Sequence, residues 1–381
     1  MLKLAARLSI ALGLLVPTVS WAYADEPSAT RTSARGGPAW EKIAKAPIAG
    51  RISAGVVWNG EEMIVWGGVT RSRTIEAVSD GAAFDPATGR WREISSSPHG
   101  VLGGGGDAAA WTGRRAVFWA GNSPDGPARG AVYNPATDHW RKLPRGPLGP
   151  REGYVSVWTG DELLIMGGTS GDTFSSHIGA AVDPAESTWR RLRGIDDLNA
   201  LIPSGAVWDG SRVFLAGTQY LCPNPDSTCQ DTRPIFVAYD PASDELEEID
   251  LAGAPAEAIA PVAWTGAEVL AVGQDATDVV LFDPVTGTWR EAAASACPAD
   301  TSAFRQHAWI GDRYVATCGR DALQVYDLAS DAWEVVEAGK SPFNTRADSA
   351  IVWTGTELVV WSGLKRSDSS TPNTGMAIVL P

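Results

Sequence analysis

The sequence predicts an all-β fold, a seven-bladed β-propeller with four-stranded blades, and three observations point to it. First, a Trp-x-Gly step recurs seven times, at Trp58, Trp111, Trp158, Trp208, Trp264, Trp309 and Trp353, about 49 residues apart. A further Gly follows each of these Trp residues after nine or ten positions, at Gly68, Gly121, Gly168, Gly217, Gly273, Gly319 and Gly363. Second, an Asp-Pro-x-Thr-x-x-Trp module occupies the other half of most periods, from Asp85 to Trp91, Asn134 to Trp140, Asp183 to Trp189, Asp283 to Trp289 and Asp327 to Trp333. The copy from Asp240 to Leu246 lacks the Trp, and Leu328 replaces the Pro after Asp327. Third, the period from Trp353 lacks this second half, while Trp40-Glu41-Lys42-Ile43 has no repeat before it. An N-terminal strand that completes the C-terminal blade closes the ring and leaves no orphan edge.

Each period reads as four strands. The first ends at Trp-x-Gly and the second at the later Gly. The third ends at Asp-Pro, and the fourth starts at the second Trp. Runs such as Met63-Ile64-Val65-Trp66 and Leu163-Leu164-Ile165-Met166 are short, apolar and bounded by turn residues, the signature of buried strands. The last strand is expected at Ala377 to Leu380. No stretch beyond the leader keeps a helical period. Four-stranded units repeated at this length build propellers.

Composition sets the remaining bounds. Of 381 residues, 44% are hydrophobic and 20% charged, which excludes wholesale disorder. The net charge of −14 argues against nucleic acid and anionic membrane surfaces as partners. Residues 1–24 read as a signal peptide: Lys3 and Arg7 precede the apolar stretch Leu8 to Val16, and Ala22-Tyr23-Ala24 is a small-x-small cleavage site. Cleavage after Ala24 places the protein in the periplasm or outside the cell. The apolar stretch is too short to span a bilayer, which takes about 20 residues. Residues 25–39 are a polar, flexible linker, and residues 40–381 form the propeller, expected to be a monomer. Cys222, Cys229, Cys297 and Cys318 suggest two disulfides in an exported chain. Three pairings are possible, and placement on the strand map favours Cys222–Cys229 and Cys297–Cys318.

The repeated residues have structural work. The Gly of Trp-x-Gly suits a turn with positive φ, the Trp residues fill space within and between blades, and the Asp of Asp-Pro caps a turn rather than binding calcium. The Gly doublets Gly67-Gly68 and Gly167-Gly168, the Phe84-Asp85-Pro86 and Phe282-Asp283-Pro284 steps and the Trp six residues after each Asp make the chain resemble the kelch family along nearly its whole mature length. The Gly-His and Trp-Asp signature of the other common propeller repeat is missing, with Trp208-Asp209 standing in the wrong half of its period. Second glycines are worn to Ala120, Ala216 or Ser362.

Antiparallel strands alternate the connections between two faces. The Trp-x-Gly and Asp-Pro turns share one face and barely vary. The other face carries Val69–Ser79, Gly121–Arg129, Thr169–Ser176, Thr218–Arg233, Gln274–Asp278, Arg320–Asp321 and Leu364–Thr374, which differ in every blade. Binding is expected on this variable face. The innermost strands enter from it, carrying Arg51, Arg151 and Arg346 seven residues before their Trp, then Asp107, Tyr154, Arg305, His307 and Asp348. Two roles are open to the arginines. They can bind a carboxylate or sulfate, or they can pair with Asp107, Asp348 and the backbone to hold blades together.

Three function classes follow. The first is a non-enzymatic recognition scaffold for a protein or glycan, with no cofactor or metal. The second rests on a resemblance to the periplasmic sialic-acid epimerases, also kelch propellers, and needs a general base such as Glu152 or Glu257. The third, a copper enzyme similar to galactose oxidase, fits poorly, since no adjacent Tyr-His pair is present and His99, His139, His177 and His307 lie on separate loops. Gly103 to Gly106 is no phosphate cradle, because no helix follows it. Phe174 and Tyr220 are candidate contact residues at loop tips.

Overall fold

A computed structural model describes residues 38–71, 74–97, 108–121, 128–170, 173–174, 178–198, 200–221, 231–254, 259–273, 278–295, 297, 306–365 and 367–381. They form seven four-stranded antiparallel blades, with Thr173–Phe174 added to blade 3 and two separate two-stranded sheets. Blade 1 runs from the innermost strand outward as Gly55–Trp58, Met63–Trp66, Gly81–Asp85 and Arg90–Glu93. Blades 2 to 6 repeat this order, starting at Ala108–Trp111, Glu152–Trp158, Leu201–Trp208, Ala260–Trp264 and His307–Trp309. Blade 7 is built from Ala350–Trp353, Glu357–Trp361 and Gly375–Val379, and its outer strand is Glu41–Lys42. Glu41 pairs with Ala377 and Lys42 with Met376, so the two ends of the chain share one sheet. Each innermost strand touches the next around the ring, and that of blade 7 touches that of blade 1.

Two boundaries differ from the sequence reading. The last strand starts earlier, at Gly375, because its register against Trp361 is set by the whole of Glu357–Trp361. In blade 4, Val213–Tyr220 and Thr232–Asp240 extend into the segment expected to be loop. A four-residue α-helix, Pro342–Thr345, lies between blades 6 and 7, capped by the Ser341 hydroxyl accepting from the Asn344 N–H. Being four residues long, it left no periodic signal.

The second and third strands of each blade are almost wholly buried, and the core is a chain of apolar clusters between facing blades. The Trp-x-Gly glycines all take positive φ, from 82° at Gly113 to 107° at Gly160. The turn Asp residues act as caps, as when Asp85 Oδ1 accepts from the N–H groups of Ala87 and Thr88. Four fourth-strand indoles bind back to the preceding connection, and Trp289 Nε1 has no partner among the described residues. Nε1 of Trp91, Trp140, Trp189 and Trp333 donates to the carbonyls of Ala44, Ser95, Pro144 and Ala293. Trp140 also packs against Trp66 of blade 1 at 5.2 Å.

The seven blades are not equivalent. On the turn face, odd blades are joined to the following even blade by a ladder of four side chains. Arg92 grips both oxygens of Glu62 at 2.7 and 2.6 Å and donates from Nη1 to the Tyr133 hydroxyl of blade 2. Tyr133 in turn donates to Asp138. The same four types recur as Glu162, Arg190, Tyr239 and Asp244 across blades 3 and 4. They recur again as Glu268, Arg290, Tyr326 and Asp331 across blades 5 and 6. Asp138, Asp244 and Asp331 all adopt left-handed φ and accept N–H bonds from the preceding inter-blade connection. The ring is therefore three two-blade units plus the closing blade.

The tyrosines are the middle rungs. Burial, reinforced by Asp138 and Asp331, pushes the Tyr133 and Tyr326 phenols up to about 12 despite the facing arginines. Tyr133→Phe is expected to cost about 1 kcal/mol, since it removes the hydroxyl that bonds both Arg92 and Asp138. Urea unfolding measures this, and an unchanged midpoint would show that water replaces the hydroxyl.

Candidate functional site

On the turn face many Asp, Glu, Arg and Trp side chains close turns and seams. Attention moves to the opposite mouth of the central channel. There the innermost strands of blades 1, 3 and 7 share one local design. Arg51, Arg151 and Arg346 stand seven residues before the Trp, and a left-handed residue follows two positions later: Ser53 (φ 51°), Gly153 (φ 65°) and Asp348 (φ 52°). In the same blades the second strand ends in two successive left-handed residues, Gly67-Gly68, Gly167-Gly168 and Ser362-Gly363. Space as well as φ demands the second glycine: a Cβ on Gly68 would lie 2.6 Å from Ile52 O, and one on Gly168 2.6 Å from Glu152 O.

This double turn presents a carbonyl inward, and the arginine meets it. Nη1 of Arg51 donates to Gly67 O and to Asp80 O, and Nη1 of Arg151 to Gly167 O and Ile178 O. Nη1 of Arg346 donates to Ser362 O and Thr374 O, with Nη2 on Thr374 Oγ1. Arg51 also pairs with the Asp80 carboxylate at 2.9 Å. All three arginines are buried. Burial lowers the Arg151 and Arg346 guanidinium pKa values to about 10, which leaves both cationic at neutral pH. The structure thus places these arginines as clamps on backbone carbonyls within their own blades. Asp348 is not their partner.

Asp348 instead crosses the ring seam. Its Oδ2 accepts from the backbone N–H and the hydroxyl of Ser53, at 2.9 and 2.7 Å, joining blade 7 to blade 1. The residue keeps a solvent-reachable surface yet is walled in by protein, as expected for a group lining a narrow channel. That enclosure raises its carboxyl pKa, the Ser53 bonds acting in the opposite direction. Its backbone neighbours Ala347 and Ser349 and the facing Ala54 are small and half-buried.

The other residues expected at the channel are dispersed. Tyr154 turns its hydroxyl to Trp119 O and packs edge-on against that indole at 5.0 Å, which binds blade 3 to blade 2. His307 lies on the innermost strand of blade 6, half-buried, with Nδ1 enclosed and without a partner. Burial pushes its pKa down to about 4, so the ring is neutral at pH 7. Glu152 is exposed at the start of its strand and His139 is exposed on the turn face. Asp107, Arg305, Glu257, His99 and His177 lie outside the described residues. Phe174 is described only by its backbone pairing with Thr169, and Tyr220 is half-buried. The sequence reading missed Ser53, although its position five residues before Trp58 matches that of Asp348 before Trp353.

Two described connections of the variable face are built structure. Val69–Arg71 and Ile75–Ala77 form a hairpin above blade 1, and Arg346–Ala347 pairs with Leu364–Lys365 above blade 7. Arg71 N–H donates to Thr371 Oγ1 at 2.8 Å and Thr371 N–H to Arg71 O at 3.0 Å. The two connections therefore form one platform beside Ser53 and Asp348, with Ile75 61% exposed at its rim. Cys297 and Cys318 are bonded, with Cα atoms 5.6 Å apart, and tie the connection before blade 6 to the end of its second strand. Cys222 and Cys229 lie outside the described residues. Among the described residues, no group of three or more His, Cys, Asp or Glu can hold a metal ion, and no helix is long and apolar enough to cross a membrane.

No family model matches the chain, and no curated protein matches it either. The fold is a seven-bladed β-propeller on its own geometry.

Proposed function

We propose that this chain is an exported recognition scaffold of the kelch type, which holds a protein or glycan on its variable face at the mouth of the channel. The observation that carries this reading is the platform over blades 7 and 1, where two connections bond to each other beside a half-buried carboxylate. The turn face offers the contrast: many of its polar side chains close turns and seams. Export rests on the leader, residues 1–24. The epimerase alternative needs a general base, and Glu152, one of its two candidates, is exposed at the start of its strand.

Paired surface variants test the reading. Ile75, 61% exposed, belongs to the platform, and Val285, 90% exposed, sits in the blade 5 turn on the opposite face. A panel of glycans and exported proteins is screened for binding to the wild type. Ile75→Glu is expected to weaken the captured ligand about tenfold or more, the loss of a buried apolar contact, while Val285→Glu leaves it unchanged. The reverse pattern overturns the proposal.

A further inference from the structure

We propose, on the basis that the variable face is the binding face, that Asp348 is a recognition site for an alkylammonium group reaching into the channel mouth. The backbone there does not call for an acidic residue. Gly153 fills the same place in blade 3 with φ 65° and no Cβ. Ser53 and Asp348 take the left-handed conformation with side chains, which is strained for any residue but Gly. Asp tolerates this conformation better than most residues, but Gly would remove the strain.

The carboxylate is half used. Oδ2 holds both Ser53 bonds. Among the described residues Oδ1 has no hydrogen-bond partner, and it is not one of their enclosed unpaired atoms, so it keeps access to solvent. No Lys, Arg or His among the described residues comes within ion-pair distance of Asp348. The two nearest arginines in sequence, Arg51 and Arg346, direct Nη1 to carbonyls beside the second and third strands, while Arg51 Nη2 is enclosed without a partner among the described residues. With no counter-charge among the described residues, this half-buried carboxylate is open to a cation from outside.

The geometry selects among cations. A guanidinium binds best to both oxygens of a carboxylate, and here Ser53 already occupies one. A divalent metal needs about six or more oxygens, and the described residues supply no such cluster. An ammonium is a compact point charge with three donors. It can take Oδ1 and turn its other protons to channel water and backbone carbonyls. The neighbours of Asp348, Ala54, Ala347 and Ser349, are small and half-buried.

The test follows the Asp348 side-chain carbon by NMR in the full chain labelled at aspartate. The probes are n-butylammonium and the pentapeptide Gly-Gly-Lys-Gly-Gly. Both are expected to shift the Asp348 carboxyl signal saturably. Asp348→Asn, which keeps an acceptor for Ser53, is expected to weaken both about tenfold or more, and so is acetylation of the peptide lysine. Clearly tighter binding of the peptide identifies a polypeptide side chain as the source of the ammonium, and equal binding identifies a free amine. If neither probe shifts the wild-type signal, or Asp348→Asn binds equally well, the proposal is overturned. The wild-type signal decides the matter even if the variant fails to fold. A face ligand weakened by Ile75→Glu but indifferent to Asp348→Asn removes the ammonium site and leaves the recognition scaffold. A ligand that Val285→Glu displaces removes the scaffold reading first.

Discussion

Arg51→Met is expected to lower the unfolding free energy by about 4 kcal/mol, the sum of several stranded buried acceptors at about 1–3 kcal/mol each. The guanidinium of Arg51 supplies Ala49 O, Gly67 O and Asp80 O from a side chain that is 1% exposed. Replacing a buried ion by an apolar side chain is harmless only when its partners are replaced too. Here they are backbone carbonyls, fixed by the left-handed double turn at Gly67 and Gly68. Asp80 loses its cation as well, but half of its side chain is exposed, so water compensates it. Arg90→Met, at an exposed position of the same blade, is the control and is expected to change stability by less than about 0.5 kcal/mol. Chemical denaturation of the three proteins decides between the two roles open to these arginines. A stable Arg51→Met that loses ligand would make the residue a recognition group. A destabilised one is the clamp that the bonds describe.

The position of these clamps was legible in the sequence, and their role was not. Spacing from Trp58, Trp158 and Trp353 finds the three arginines, and the Gly doublets stand in plain view. That the two features meet depends on which carbonyl the left-handed turn points inward, which composition cannot report. Ser362 hides the third doublet, because a non-glycine residue takes φ 59° there. The two-blade unit was legible but went unseen. Glu62, Glu162 and Glu268 follow their Trp by four residues in odd blades, where even blades carry Arg115, Arg212 and Arg313. Treating every period as a copy of the same repeat averages this alternation away. The ring closure and the Cys297–Cys318 bond were read correctly, because both follow from strand order alone. Asp348 was found as a channel residue, but its partner Ser53 was not. Contact across the ring seam joins residues 295 positions apart.

Acid sensitivity should appear first through His307. Its folded pKa of about 4 lies below the ordinary imidazole value of 6.5, and burial is the cause. The unfolded chain therefore takes up a proton before the folded one does. The stabilising effect of a neutral ring is fully present above pH 6.5 and drains away as pH falls toward 4. A shift of this size corresponds to at most about 3 kcal/mol across that window. Asp348 works in the opposite sense, since its raised pKa makes the folded state hold its proton more tightly, so the raw profile blends two effects. The ladder carboxylates act lower. Hydrogen bonds from Tyr133 and Ser95 outweigh burial at Asp138, and the N–H of Ala293 leads at Asp331, so both pKa values fall below 3.8. Their contribution is lost only as pH falls through those depressed values. The clean measurement is the difference between wild type and His307→Gln in urea midpoints at several pH values. That difference is expected to be flat above pH 6.5 and to change steadily down to pH 4. A difference that stays constant throughout would show that His307 protonates in the folded ring as easily as in the unfolded chain, with channel water reaching its enclosed Nδ1.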